Sequence, residues 1–587
     1  MNKTLFVLFF IITIQTILSQ ESKSTIKTSD ETKFETAFEK SEGMKTATYG
    51  QTILYYENLA KTYPEISIRK IGTTDSGFPL HLVIFDNSQL FDLKNEEKSI
   101  ILINNGIHPG EPDGIDASMM MLRDIAQSDL LKKKYENVII CVIPIYNVGG
   151  SLNRNSTSRV NQNGPISYGF RGNALNYDLN RDFIKNDTKN AKTFAKIFHT
   201  VNPDIFIDNH VSNGADYQYT LTHLFTQHNK LGGKIGDYLY HKMIPDLEKS
   251  LLSKDLLITP YVNVFNNVPE NGFSQFFDSP RYSTGYTTLF NTLGLMVETH
   301  MLKPYKQRVE GTYQLMFSVL DFATENGNAV NFLRKNAVEE IIAKKTYPIQ
   351  WKIDSTNYKT FDFKGYEGSF IPSKITGQKR LKYDRSKPFS KPVKYYDHFK
   401  PTKEITIPNY YVVPKQLVKV IERLKLNNIK MHPLKSAISI EVESYKIKDY
   451  NTSKSPFEGH YLHRNTVVTS TIKLQDFNKG DFLIPTNQPG IKYLLETLEP
   501  EATDSFFNWN FFDIILQKKE GFSPYVFEDL AKEILENNDE LRMKYEKKKE
   551  EGLTFSNSWY QQLNYIYQNS KYAEKAYLQY PIYRILK

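Results

Sequence analysis

The chain has 587 residues, 40% hydrophobic and 13% aromatic, the aromatics mostly Tyr and Phe, with a formal net charge of +8. This composition excludes a disordered polymer, and the length allows about two to four domains with sizeable cores. One cysteine excludes an intramolecular disulfide, and so modest a charge on so long a chain argues against nucleic acid as a partner.

In chain order, residues 1–19 read as a secretory signal peptide. Lys3 makes a basic start, residues 5–18 form an apolar core broken only by Thr and Gln, and Ser19 offers a small residue for cleavage. The run is shorter than the ~20 apolar residues of a membrane span. No later stretch is longer, so no integral membrane segment is expected once the signal is removed. Losing Lys3 takes the charge from +8 to +7. Cys141 lies inside an apolar strand, 138–145, and reads as a small core residue rather than a nucleophile. Secretion without disulfides suits a bacterial periplasm or exterior.

Ile53, Leu54, Tyr56 and Leu59 stripe a helix over 51–62. Strands 66–71 and 81–85 flank the turn signal Asp75-Ser76-Gly77. Strands at 100–105, 138–145, 204–209 and 293–297 then alternate with helices at 115–132, 187–200, 230–253 and 305–326. That alternation predicts an α/β domain over 45–340, with a mixed, mostly parallel sheet and helices on both faces. Residues 350–587 read as a C-terminal module, β-rich to about residue 500 and helical after it. Within it, residues 374–403 hold ten basic and two acidic residues interleaved with Pro and Tyr, the pattern of a solvated surface loop. Pro414 opens a helix to 426, a strand follows at 437–445, and helices are expected at 503–517, 524–537 and 556–568.

Four segments place metal-capable or metal-serving side chains just past strands, where the crevice of an open α/β sheet lies. Strand 100–105 runs into His108-Pro109-Gly110-Glu111, strand 204–209 delivers His210, and strand 293–297 delivers Glu298. Between them lies Asn176-Tyr177-Asp178-Leu179-Asn180-Arg181, with Arg171 nearby. Two His and one Glu are a recognised catalytic zinc set with room for a water. Glu298, charged at the end of an apolar strand, suits a proton acceptor beside that water. The Arg guanidinium groups suit a carboxylate. A second cluster, Glu458, His460 and His463, lies in a strand-like run that puts Glu458 and His460 on one face; solvent or core roles are expected there. The aromatic run 505–512 reads as a helical core segment.

Together these residues resemble the carboxypeptidase A-like zinc carboxypeptidase family over about residues 46–327. The resemblance implies one Zn²⁺ per chain on His108, Glu111 and His210. It implies Asn180 and Arg181 as the grip on a terminal carboxylate, and Glu298 as the general base. Arg171, ahead of Arg159, would help polarise the scissile carbonyl, and Tyr282 or Tyr286 would serve as the substrate-binding tyrosine. The substrate would be a peptide or protein. Two other readings stand beside this one: a zinc amidase, deacylase or cell-wall peptide hydrolase, and a non-catalytic zinc-stabilised binding protein. The preferred terminal residue, the role of 350–587 and the oligomeric state are not specified by the sequence.

Overall fold

The computed structural model describes residues 34–586; the segment read as a signal peptide lies outside them. Gly77, at φ +82°, lets the chain reverse between β1 (Ile66–Thr73) and β2 (Pro79–Phe85), which pair antiparallel. The chain then builds β3 (Ser99–Asn104), β4 (Val138–Ile143), β5 (Ile205–Ser212), β6 (Leu221–Phe225), β7 (Ile258–Pro260), the two-residue β8 (Phe273–Ser274) and β9 (Leu293–His300). Eight of these nine strands form one sheet in the order β1-β2-β4-β3-β5-β9-β6-β7. Its centre, β4-β3-β5-β9, is parallel, while β2 and β6 flank it antiparallel. This is the expected mixed α/β architecture.

Strand alternation explains the two cores. Ile101 and Ile103 of β3 and Ile205 and Ile207 of β5 pack with α1 (Tyr49–Thr62), α2 (Asp113–Gln127) and α4 (Tyr305–Ile342). Ile100 and Leu102 of β3 and Phe206 of β5 point the other way, against α3 (Lys189–Val201). Each such side chain, fully buried, contributes about 1.5–3 kcal/mol.

Several helices differ from their expected extents. The one expected over 115–132 stops at Gln127, and Ser128 caps a second helix, Asp129–Lys134, by accepting from Leu131 N. The helix expected over 230–253 is broken where Gly232 and Gly233 take positive φ, and it carries a π-turn at Leu239–Met243. By contrast α4 runs 38 residues, through Gly327, where the missing side chain makes room for Ser99.

Beyond α4, β10 (Thr346–Ile353) pairs with β13 (Phe399–Thr406), and β11 (Lys359–Pro372) with β12 (Lys379–Tyr396). The basic stretch 374–403 is therefore mostly hairpin strand rather than loop. Its alternation was masked because both faces of these strands carry exposed lysines. A six-stranded sheet follows, ordered β15 (His432–Pro433), β18 (Phe482–Pro485), β14 (Tyr410–Val413), β19 (Gln579–Ile585), β16 (Ile438–Thr452), β17 (His463–Phe477). Two expectations fail here. Residues 503–512 form buried turns and only Asp513–Leu516 is helical, a 3₁₀ turn, although Phe506, Phe507 and Trp509 are core as expected. The chain also ends in a strand, β19, beyond the helices of 524–568.

This C-terminal half does not stand apart. Tyr411, Tyr493, Phe506 and Trp509 share one hydrophobic core with Phe198, Phe206 and Tyr286 of the α/β half. β8 also pairs with β12 across the two halves. No helix among the described residues is long and apolar enough to cross a membrane.

Candidate active site

The parallel register sets the first piece of geometry. β5 and β9 lie side by side with His210 directly opposite Glu298, so both side chains leave the sheet on the same face. β3, on the other side of β5, feeds the loop that carries His108 and Glu111. In that loop Gly110 admits Arg159: a Cβ there would sit 2.5 Å from Arg159 Cδ.

His108, Glu111 and His210 are each only 3% exposed, and each offers a ligand atom within 4.8 Å of the others, an arrangement that could hold a metal ion. Glu111 Oε1 lies 3.2 Å from His108 Nδ1 and Oε2 lies 3.0 Å from His210 Nδ1. The far ring nitrogens are engaged by carboxylates. His108 Nε2 is 3.0 Å from Asp178 Oδ1, and His210 Nε2 is 2.9 Å from Asp208 Oδ2. A proton held at each Nε2 leaves each Nδ1 lone pair aimed at the centre, the carboxylate–histidine support that metal ligands commonly receive. Two imidazole nitrogens and one carboxylate suit zinc and leave a position for water. The donor set therefore fits the ion.

Asp178 is the hub of the wall beside this centre. Its Oδ1 accepts from Asn180 N at 2.9 Å as well as meeting His108. Its Oδ2 takes a two-pronged bond from Arg171, Nη2 at 2.8 Å and Nε at 3.1 Å. Burial alone would raise the Asp178 pKa, but His108, Arg171 and Arg181 outweigh it and hold the carboxyl far below the usual range. Arg171 is thus ion-paired to Asp178, yet its side chain stays 44% exposed at the cleft. Arg159 also reaches the centre, with Nη1 2.8 Å from Glu111 Oε1 against 3.7 Å for Arg171. Arg181 stacks on the Tyr282 ring at 4.5 Å and lines the same cleft, as does Asn180.

Glu298 lines this cleft, and none of the ion pairs or side-chain hydrogen bonds among the described residues engages its carboxylate. Burial, opposed by His210 and reinforced by Glu111 and Asp208, pushes its pKa up to about 8. The cleft encloses about 600 Å³.

Of the two candidate tyrosines, only Tyr282 reaches the cleft. Tyr286 does not: it is fully buried in the shared core, where its hydroxyl donates to Asn427 Oδ1 at 2.6 Å, because Tyr282 is the extended N-cap residue just outside the helix Ser283–Thr288 whereas Tyr286 lies within it. The cleft also contains residues the sequence reading passed over: Leu224, Tyr261, Phe276 and Met296. Met296 was accessible to reasoning, since it precedes Glu298 by two in a strand and shares its face. Leu224 is its cross-strand partner, visible only once β6 is paired with β9. The residues of the second cluster do not converge on one point. Phe457 and His460 close a tight turn, so Glu458 and His460 do not lie on one strand face. His463 pairs instead with Asp513 at 3.0 Å.

The zinc carboxypeptidase family model matches residues 52–206. The chain is 22% identical to carboxypeptidase 2 of Trichophyton equinum over 448 residues, covering 70% of this chain and 74% of that protein. It is likewise 22% identical to carboxypeptidase 2 of Trichophyton rubrum over 469 residues, covering 73% and 77%. Among solved structures, a metallo-carboxypeptidase from Burkholderia cenocepacia matches at TM-score 0.35 and 16% identity, over 45% of this chain and 66% of that one. Residues 52–206 thus match the zinc carboxypeptidase family, and together with the carboxypeptidase relatives this match supports the class of zinc metallopeptidase.

Proposed function

We propose that the protein is an exported zinc metallocarboxypeptidase that hydrolyses the last peptide bond of a peptide or protein. The observation that carries this is the meeting, in one cleft, of three metal donors, an unpaired carboxylate and a guanidinium poised for an anion. Zinc, when bound by His108, Glu111 and His210, supplies a Lewis acid that polarises a carbonyl and acidifies a water. The charge of a bound zinc would draw the raised Glu298 pKa back down, leaving a carboxylate that takes a proton from the attacking water and passes it to the leaving nitrogen. Arg171 donates to the scissile carbonyl oxygen as negative charge develops there. Asn180 and Arg181 hold the substrate's terminal carboxylate, a planar donor pair matched to two oxygens. The terminal side chain rests against Leu224, Phe276, Met296 and Tyr282. Among the described residues the only carboxylates lining the cleft are Glu111 and Glu298, so this wall favours apolar ends over basic ones. Export is supported by the apolar run at residues 1–19.

The test is a pair of peptides identical except for a free or amidated C-terminus, each with and without a chelator. Release of the last residue from the free acid alone, abolished by chelation, is expected. Equal cleavage of the amide would overturn the reading in favour of an endopeptidase or amidase.

A further inference from the structure

The loop joining β16 to β17 reaches back to the active-site wall. Its tip is the turn Phe457-Glu458-Gly459-His460, closed by Phe457 N to His460 O at 2.7 Å and His460 N to Phe457 O at 3.0 Å. Both central residues take positive φ, Glu458 at +49° and Gly459 at +78°. Such turns favour Asn-Gly or Asp-Gly, and a Glu in the left-handed region is strained. Something must offset that cost. The Glu458 carboxylate accepts from Asp178 N at 2.8 Å, across 280 residues of sequence. This is the one hydrogen bond made by that backbone N–H among the described residues. Gly459 lets the tip close in, since a Cβ there would lie 3.0 Å from the Tyr177 hydroxyl. The tip is itself anchored, Phe457 stacking on Trp509 at 6.3 Å and His460 Nε2 meeting Asp187 Oδ2 at 2.7 Å.

We propose that Glu458 is a positioning residue for substrate binding: by holding the peptide N–H of Asp178 it fixes the turn that presents Asn180 and Arg181 to the substrate's terminal carboxylate. This rests on the reading of those two residues as the carboxylate grip. It gives the C-terminal half a role in the reaction without any direct contact with substrate. The logic is that one carboxylate, Asp178, orients His108, Arg171 and Asn180 N together, while its own backbone is tied down from outside the α/β half.

The distinguishing variant is Glu458→Asp in the full chain. Aspartate suits the turn better than glutamate but is one methylene too short to reach Asp178 N. A hydrogen bond to a charged group corresponds to a factor of ~10–150 in an equilibrium. Glu458 is only partly buried, so the low end applies: KM for a free-acid peptide should rise about tenfold. Zinc content and thermal stability should stay at wild-type values, and Glu458→Gln, which keeps the reach and an acceptor oxygen, should restore most of the affinity. An unchanged KM in Glu458→Asp overturns the proposal. So does a loss confined to stability or zinc content, which would mark a structural role only. Failure of the underlying reading shows separately, as wild-type protein that ignores amidation of its substrate.

Discussion

Asp208→Asn should weaken zinc binding without unfolding the protein, and the local geometry sets the size of the effect. Asp208, on β5 opposite Asn104 of β3, is fully buried. Its Oδ1 accepts from Asn104 Nδ2 at 3.2 Å, and its Oδ2 accepts from Ser283 Oγ at 2.5 Å while facing His210 Nε2 at 2.9 Å. An asparagine keeps the volume but must turn an NH₂ toward one of these groups. Facing His210, it asks Nε2 to accept and so drives the ring proton to Nδ1, the nitrogen aimed at the metal position. Facing Asn104, it is accommodated once the Asn104 amide turns over to present its oxygen, which has no hydrogen-bond partner among the described residues; His210 Nε2 then keeps an acceptor but loses the carboxylate charge. Loss of such a carboxylate support typically costs 10–100-fold in metal affinity, or about 1.4–2.7 kcal/mol. Titration against a chromogenic chelator measures this directly, and turnover should largely recover at saturating zinc. Asp178→Asn offers the contrast. Its amide oxygen can still serve His108, but its NH₂ then faces Arg171, so catalysis should fall by more than zinc affinity does. A folded Asp208→Asn protein with zinc affinity within about twofold of wild type, well short of the 10–100-fold expected, would refute the idea that Asp208 sets the His210 tautomer.

Three further outcomes follow from the same site and core. Glu298→Gln should keep zinc and fold yet lose about 10²–10⁴ in turnover, the usual value of general acid–base assistance; near-normal kcat would assign the proton transfer elsewhere. Among peptides differing only in the last residue, those ending in Leu or Phe should show higher kcat/KM than those ending in Lys or Arg, and the reverse order would mean that the terminal side chain does not rest on the Leu224–Met296 wall. Asp278 is a pH probe of the core: burial, opposed by Thr284 and Lys230, pushes its carboxyl from 3.8 up to about 7. Between those values the native state keeps a proton that the unfolded chain releases, so its contribution is whole below pH 4, declines as pH rises and levels off above 7. Thermal melts from pH 4 to 8 should show that decline flattened in Asp278→Asn, and an identical profile in the variant would place the titration at another group.

How far the sequence could be read follows from the range of the signals it carries. Period-two and period-3.6 patterning is local, so the strands that end near His108, His210 and Glu298 were legible one by one. Their convergence was inferable because parallel strands in an open sheet must bring their carboxyl ends to one edge. Exact register was not, and register is what sets His210 opposite Glu298 and Leu224 opposite Met296. Tyr286 shows the opposite failure. A tyrosine four residues from Tyr282 looks equivalent in sequence, yet Tyr282 is the extended N-cap at the cleft while Tyr286 sits inside the helix that packs into the core.

The basic hairpin and the Glu458 turn mark a second boundary. On β12 exposure on both faces erased the alternation that marks a half-buried strand, so composition suggested a loop where pairing with β11 makes a strand. At Glu458 the local pattern was strand-like because Tyr461 and Leu462 follow it, and nothing nearby announced a partner 280 residues upstream. A left-handed Glu in a two-residue turn is a cost with no local return. The return lies at Asp178 N, and only the shared core, which docks one half of the chain on the other, brings the two together. The metal donors could be found from their own neighbourhoods because the chemistry demands particular side chains there. A residue that acts only by holding a backbone N–H carries no such demand, so its place in the site is written in the tertiary packing.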